Sequence, residues 1–297
     1  MSLPFVARRI GDGPILASGM SGLEGERGAN INGPSLIRVP DWVENGLGTY
    51  YLYFAHHRGR SIRLAYADRL EGPWSVHPPG VVEVAATAAS SHIASPDVHV
   101  DHGRRRLRMY FHGDLPGGRE QVSFFAESGD GLGFAARPTV VAPFYLRVFE
   151  HDGWFYGVAK LGNESGVLLR SPDGLQPFEA GRRIIARMRH AALLKRGAEA
   201  WLFYSRIGDA PESVLAAQLP LRGNWKRWRP RNGFVVLAPE EAWEGAGGPV
   251  EPSRPGPATT PRRELRDPAI YVEDERIILL YTVAGEQGIA LAELRAR

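Results

Sequence analysis

Short apolar runs, some alternating with polar residues and some continuous, recur along the chain and are separated by polar turns. This is the signature of strands, and the 3.6-residue spacing of amphipathic helices does not appear between them. Inner strands are predicted at 34–38, 96–100, 146–149, 190–194 and 268–272. Polar turns such as 101–103, 151–153 and 273–275 lead from them into more apolar runs at 49–57, 107–113, 154–160, 200–206 and 277–282. A third run then follows at 62–68, 121–128, 166–171, 213–218 and 288–293.

The spacing of these units matters more than any one strand. From Pro34 to Pro268 there are four steps of about 58 residues each, and five units nearly exhaust the 297 residues. Antiparallel units repeated at this period predict an all-β fold, a five-bladed β-propeller occupying 1–297 as one domain. A Pro- and Gly-rich stretch at about 239–263 interrupts the rhythm before the last unit and reads as a long loop crossing one face. The amino-terminal segment near Ile15 and Leu16 is expected to close the last blade.

Composition narrows the function without naming it. Hydrophobic residues at 43% and charged residues at 23% are ordinary for a globular chain, which excludes disorder. The net charge is +3, and all but three of the 36 basic residues are Arg. One cluster, Trp225-Lys226-Arg227-Trp228-Arg229, interleaves bases with aromatics; it reads as a solvated hairpin turn, and no nucleic-acid partner is expected. There is no Cys, so disulfides and thiolate metal sites are excluded. No apolar run reaches the roughly 18 residues of a membrane helix, and residues 1–9 lack a signal-peptide pattern. No membrane partner and a cytoplasmic location are the expectation.

In a propeller the inner strand of each blade starts near the axis at one face, and the second strand ends there. Polar side chains at those ends converge on a central funnel. Here they include Asn30, Asn32, His57, His92, Asp97, His112, Tyr145, Arg147, Lys160, Glu164, His190, Arg206, Arg266, Asp267 and Glu286. His57, His112, His190, Arg206 and Asp267 are read as equivalent positions of five blades. Core packing needs none of these groups, and a polar concavity is the usual mark of a ligand site.

Arg266-Asp267-Pro268 opening a strand, Ser95-Pro96-Asp97, the serine-then-Asp-Gly blade endings and 284–289 make the chain similar to a known superfamily. It resembles the five-bladed propeller glycoside hydrolases, which include arabinanases, β-xylosidases, invertase-type fructosidases and related mannoside phosphorylases. The resemblance implies an Asp on the first inner strand as base or nucleophile, a tuning Asp on the second blade and an acidic Glu on the third. Asp97 corresponds to the second of these, one or two residues out of register. The first is replaced by Asn32-Gly33-Pro34, and blade three offers Tyr145 and Arg147, with Glu150 too far down its strand. The chain is thus a divergent member of the pattern.

Glycosidic cleavage uses two facing carboxyl groups, one protonated and one ionised. The candidates are Asp97 and Asp267, with Glu286 or Glu164 as acid; Asp267 beside Arg266 is expected to be held ionised, as a base. Asn32, His57, His92, His112, Arg147, His190, Arg206 and Arg266 are the candidate substrate-binding residues. No cofactor is required, although axial histidines with a carboxylate could hold a divalent metal. The leading reading is a glycosidase-like hydrolase acting on a small carbohydrate, such as a pentose or fructose derivative. Two others stand beside it: a non-catalytic sugar-binding propeller, and a metal- or histidine-dependent lyase, cyclase or phosphodiesterase.

Overall fold

The computed structural model describes residues 4–118 and 120–296, so residues 1–3 of the amino-terminal segment lie outside it. Five antiparallel sheets of four or five strands follow one another as the blades of a propeller. Blade one is built on Asn32–Arg38, Tyr50–Ala55 and Ser61–Ala67, and blade two on Ile93–Asp101, Arg106–Asp114 and Gln121–Ser128. Blade three uses Arg147–His151, Trp154–Leu161, Ser165–Ser171 and Glu179–Ala186. Blade four uses Met188–Arg196, Glu199–Arg206, Val214–Pro220 and Arg231–Leu237. The only helical elements among the described residues are four short 3-10 turns.

Blade five holds Arg266–Glu273, Arg276–Val283 and Gly288–Ala296. Its outermost strand is Phe5–Ile10, paired along its whole length with Gly288–Ala296. The closing strand is therefore earlier than the segment expected; Leu16–Ala17 adds only a two-residue bridge to the same partner. Phe5 drops into the core and Ala7 packs against it, with Val6 and Arg8 exposed between and after them, so the strand does alternate, but over too few apolar residues to stand out in the sequence.

The blades explain why the second strands are apolar throughout. Tyr50–Ala55 is buried at every position because each face meets a different neighbour. Tyr51 and Tyr53 pack with Ile93, Met109 and Phe111 of blade two, whereas Leu52 and Phe54 pack with Ile278, Leu280 and Leu291 of blade five. Three further clusters fill the remaining gaps, giving one core per interface. Fully burying such side chains contributes about 1.5–3 kcal/mol each.

The Ser-x-Asp-Gly blade endings form clamps. Gly131 N–H donates to Ser128 Oγ at 2.8 Å, and the Gly131 carbonyl accepts from Tyr53 of the preceding blade at 3.1 Å. Blade three repeats the device with Ser171, Gly174 and Tyr110, at 3.2 and 3.0 Å.

The Trp225–Arg227 region is a 3-10 turn rather than a solvated hairpin turn. Both indoles face inward: Trp225 and Trp228 are buried in the core between blades three and four. Lys226 is paired with Glu179. No helix among the described residues is long and apolar enough to cross a membrane.

Candidate functional site

Four inner strands begin with a two-residue irregularity, between Asn32 and Ser35, Ala94 and Asp97, Met188 and Ala191, and Arg266 and Ala269. Matched on it, Gly33, Ser95, Arg189 and Asp267 share one structural position, and Tyr145 takes that place in blade three. The backbone is left-handed at Gly33, Ser95, Tyr145 and Asp267, with φ of 60°, 50°, 60° and 45°. Such a conformation costs about 1–3 kcal/mol at a non-glycine residue and tends to gather at functional sites. On the second strands the matching positions are His112, Lys160, Arg206 and Thr282. The five residues read as equivalent thus fall in different registers: His112 and Arg206 share one, Asp267 lies in another, His190 is one residue beyond that, and His57 follows its strand.

The irregularity turns consecutive side chains apart, and this decides the charges. Arg266 points away from Asp267 and is fully buried among carboxylates. It donates to Glu264 at 2.8 Å and to Glu286 Oε1 at 2.9 Å, and Glu212 stands 3.8 Å away. Asp267 faces His190 instead, with Oδ1 2.8 Å from Nδ1, and Thr282 donates to Oδ2 at 3.3 Å. The expectation that Arg266 pairs with Asp267 and holds it ionised is corrected here. Burial, followed by the negative charge of Glu286, pushes the Asp267 carboxyl up to about 7. Burial, then the positive charges of Lys160 and Arg189, drive His190 well below its ordinary value. Of the two, Asp267 is the group whose proton affinity is raised, and His190 the one whose charged form is disfavoured; the Asp267 backbone N–H also points at His190 Nδ1, at 3.3 Å.

Glu286 behaves in the opposite way. Burial disfavours its charge, but His57, Arg266 and Asn30 outweigh burial and hold the carboxyl well below the usual range. Asn30 donates at 2.5 Å and Ala258 N–H at 3.3 Å, while His57 Nδ1 stands 3.7 Å away. Glu286, expected as an acid, is the carboxyl held ionised here, and Asp267, expected as the ionised base, is the one whose proton affinity is raised.

A ladder of rings lies beside these carboxyls. His92, His112, Tyr145 and His190 follow one another with centroids 5.9, 4.3 and 4.5 Å apart. His92 Nδ1 faces Asp114 at 3.2 Å, and burial keeps both His92 and His112 below their ordinary value. Three buried polar atoms here have no partner: Asn32 Oδ1, His57 Nδ1 and His112 Nδ1. Unmet groups of this kind are expensive unless a ligand or water meets them. Among the described residues no three His, Asp or Glu side chains are grouped to hold a metal ion.

Other candidates are placed elsewhere. Asp97 lies two residues further along its strand than the Asp267 position, toward the far face. It is bonded to His99 at 2.8 Å and accepts from Val148 N–H at 2.9 Å. Arg147 is buried and donates to the carbonyls of Pro96 and Ala191, so it staples three inner strands together. Arg206 pairs with Asp209 at the half-exposed rim, and Glu164 pairs with Arg183 in solvent. Neither reaches the axis.

Sequence reasoning missed Arg189, Glu212 and Glu264. Arg189 and Glu212 form a fully buried pair at 2.8 Å. Arg189 also donates to the carbonyl of Arg254 at 2.7 Å, and Arg266 donates to that of Gly256 at 3.2 Å. Together with Ala258, these bonds strap part of the 239–263 segment over the carboxyls. No local pattern marks Glu212, which lies in a connection between strands.

No protein-family model matches the chain. It is 35% identical over 325 residues to Uncharacterized protein R118 of Acanthamoeba polyphaga mimivirus, across 96% of this chain and 89% of that protein. Among solved structures, a thermostable family-43 glycoside hydrolase superposes with a TM-score of 0.62 at 13% identity, covering 90% of this chain and 89% of its own. CoXyl43, a β-xylosidase/α-arabinofuranosidase from a compost microbial metagenome, gives 0.63 at 13% identity over 98% and 95%. An exo-1,5-α-L-arabinanase from a bovine ruminal metagenomic library gives 0.60 at 12% identity over 90% and 93%. What is shared with these structures is the five-bladed propeller fold.

Proposed function

The chain belongs to the same family as the mimivirus protein, and we propose that it is a carbohydrate-active, glycoside-hydrolase-like enzyme that holds a small sugar at the propeller axis. One observation carries this reading. Two carboxyl groups at the axis have their proton affinities pushed apart, Asp267 up to about 7 and Glu286 well below the usual range. Acid–base cleavage of a glycoside needs such a pair.

In this reading Asp267 delivers its proton to the leaving glycosidic oxygen. Water adds its oxygen to the anomeric carbon as that bond breaks, and the proton it gives up returns to the Asp267 carboxylate through His190. Glu286 stays ionised and faces the positive charge that develops on the sugar ring. Asn32, His57 and His112 supply unmet hydrogen-bonding atoms for sugar hydroxyls, and Tyr145 supplies a ring face. The structural neighbours named xylosidase and arabinanase suggest pentosides as first substrates.

Aryl β-xylosides, α-arabinofuranosides and fructosides are the assay, with sugar binding followed by calorimetry. Wild type should turn over at least one, and Asp267→Asn should lower kcat by at least about 100-fold with an unchanged circular dichroism spectrum. Equal turnover by the variant would remove Asp267 from the chemistry. A second reading, binding without cleavage, is favoured by Gly33 at the position of the superfamily's first acid. Calorimetric binding with no turnover on any glycoside selects it.

A further inference from the structure

Five arginines are buried among the described residues, and four of them are well supplied with partners. Arg63, Arg147, Arg189 and Arg266 each donate to three residues, through carbonyls or carboxylates. Arg108 is the exception. It is 4% exposed, its Nε has no partner, and its guanidinium meets one carboxylate, that of Asp101, 2.8 Å from Nη2. A guanidinium carries five N–H donors, so the protein leaves most of those on Arg108 without an acceptor. That is costly for a buried ion unless something else supplies one.

Strand register fixes where this side chain points. Arg108 stands opposite His99 on the neighbouring strand, so the two share one face of blade two with Asp101 and Tyr110. That face is turned to blade three: Tyr110 donates to the carbonyl of Gly174, and the guanidinium lies 5.9 Å from the ring centroid of Phe155. Between the two blades, at the end of the inner strand away from the axial carboxyls, a cleft of about 470 Å³ is lined by Asp101, Arg108, Tyr110 and Phe155. Val148 adds to its apolar wall. Charge limits what can enter. Arg104 and Arg108 share the one carboxylate of Asp101, at 3.2 and 2.8 Å, and His99 is held by Asp97. On the opposite wall Glu150 is exposed and makes no ion pair among the described residues, so it disfavours a ligand with a second negative charge.

We propose that this cleft is a second ligand site, for a small organic monocarboxylate whose carboxylate takes the free N–H groups of Arg108 and whose apolar body lies against Tyr110, Val148 and Phe155. Charged hydrogen bonds from a guanidinium fix the head of such a ligand, and the aromatic walls hold its tail. The site uses no residue of the axial carboxyl cluster, so it is independent of the sugar reading, and its test uses no glycoside.

The probe is 3-phenylpropionate, titrated calorimetrically into the wild-type protein at pH 7, with 3-phenylpropanol and inorganic phosphate as its uncharged and purely anionic counterparts. Phenylpropionate should bind saturably, and the alcohol and phosphate at least about tenfold more weakly, one lacking the charged hydrogen bonds and the other the apolar body. Arg108→Gln should weaken phenylpropionate at least about tenfold. Glu150→Gln, a change at an exposed position that leaves the fold alone, should tighten it about twofold by removing a like charge. No saturable binding to wild type overturns the proposal, as does binding of the alcohol or of phosphate as tight as that of phenylpropionate. A folded Arg108→Gln protein with wild-type affinity also overturns it. Should Arg108→Gln fail to fold, the Glu150→Gln titration decides, and an affinity equal to or weaker than wild type overturns the site.

Discussion

Two aspartates of this propeller make the same contact with a histidine and reach opposite states. Asp97 and His99 are 2.8 Å apart, as are Asp267 and His190. In the first pair burial works against both charges, but His99, Arg147 and the Val148 N–H hold Asp97 below its ordinary value, and Asp97 holds His99 above its own. In the second, burial wins. Asp267 adds the repulsion of Glu286 and is raised to about 7, and His190 adds that of Lys160 and Arg189 and falls well below its ordinary value. The side chain of Asp97 is 17% exposed and that of Asp267 only 2%. A distance alone therefore does not say whether a carboxylate and an imidazole form an ion pair; the neighbouring charges and residual water do. One pair ties adjacent inner strands together, and the other lies buried beside Glu286 with a carboxyl whose proton affinity is raised.

The comparison is broken most severely through Arg266. Arg266→Met leaves Glu264 and Glu286 buried without their cation, which should lower stability by about 3–5 kcal/mol in guanidinium unfolding. The Asp97–His99 pair is untouched by this change. A loss under about 1 kcal/mol would mean that Glu286 is not the anion acting on the Asp267–His190 pair.

A smaller effect separates the pairs by pH. Asp267 has a raised folded value, so its contribution is complete below about pH 4 and is lost as pH rises through about 7. Asp267→Asn removes that loss and should gain on wild type between pH 5 and 8, on the order of 1–3 kcal/mol. Asp97 has a lowered value, so its contribution is present at neutral pH and is lost as pH falls through its folded value. Asp97→Asn should be less stable than wild type at pH 7 by about 1–3 kcal/mol, with the gap closing on acidification. Melting curves at several pH values check both, and differences of the same sign would remove the distinction. Least of all, Arg206→Ala at the rim should change stability by no more than about 0.5 kcal/mol.

The five blades were legible because apolar runs recur at a period the eye can test, and each blade's two faces demand apolar residues. The closing strand is Phe5–Ile10 rather than the segment near Ile15 and Leu16, and only Phe5 and Ala7 of it pack into the core between blades four and five, too short a pattern to stand out beside Arg8 and Arg9. The convergence of His190, Asp267 and Glu286 was readable from where strands begin and end. Their charge states were not. Arg266 and Asp267 are adjacent in the chain, which suggested a pair, but the local irregularity sends them to different partners. Glu212 and Arg189, which surround the site, meet only through folding, and nothing near either residue announces the other.

Gly33 bears on any attempt to place a carboxyl on the first inner strand. A side chain there would put its first carbon 2.9 Å from the Cα of Ser95, inside the backbone of the neighbouring blade, on a residue whose φ is already 60°. An aspartate placed there by a single exchange would have to push that backbone aside. The two blades would first have to move apart, so any side chain larger than hydrogen at Gly33 loosens the contact between blades one and two.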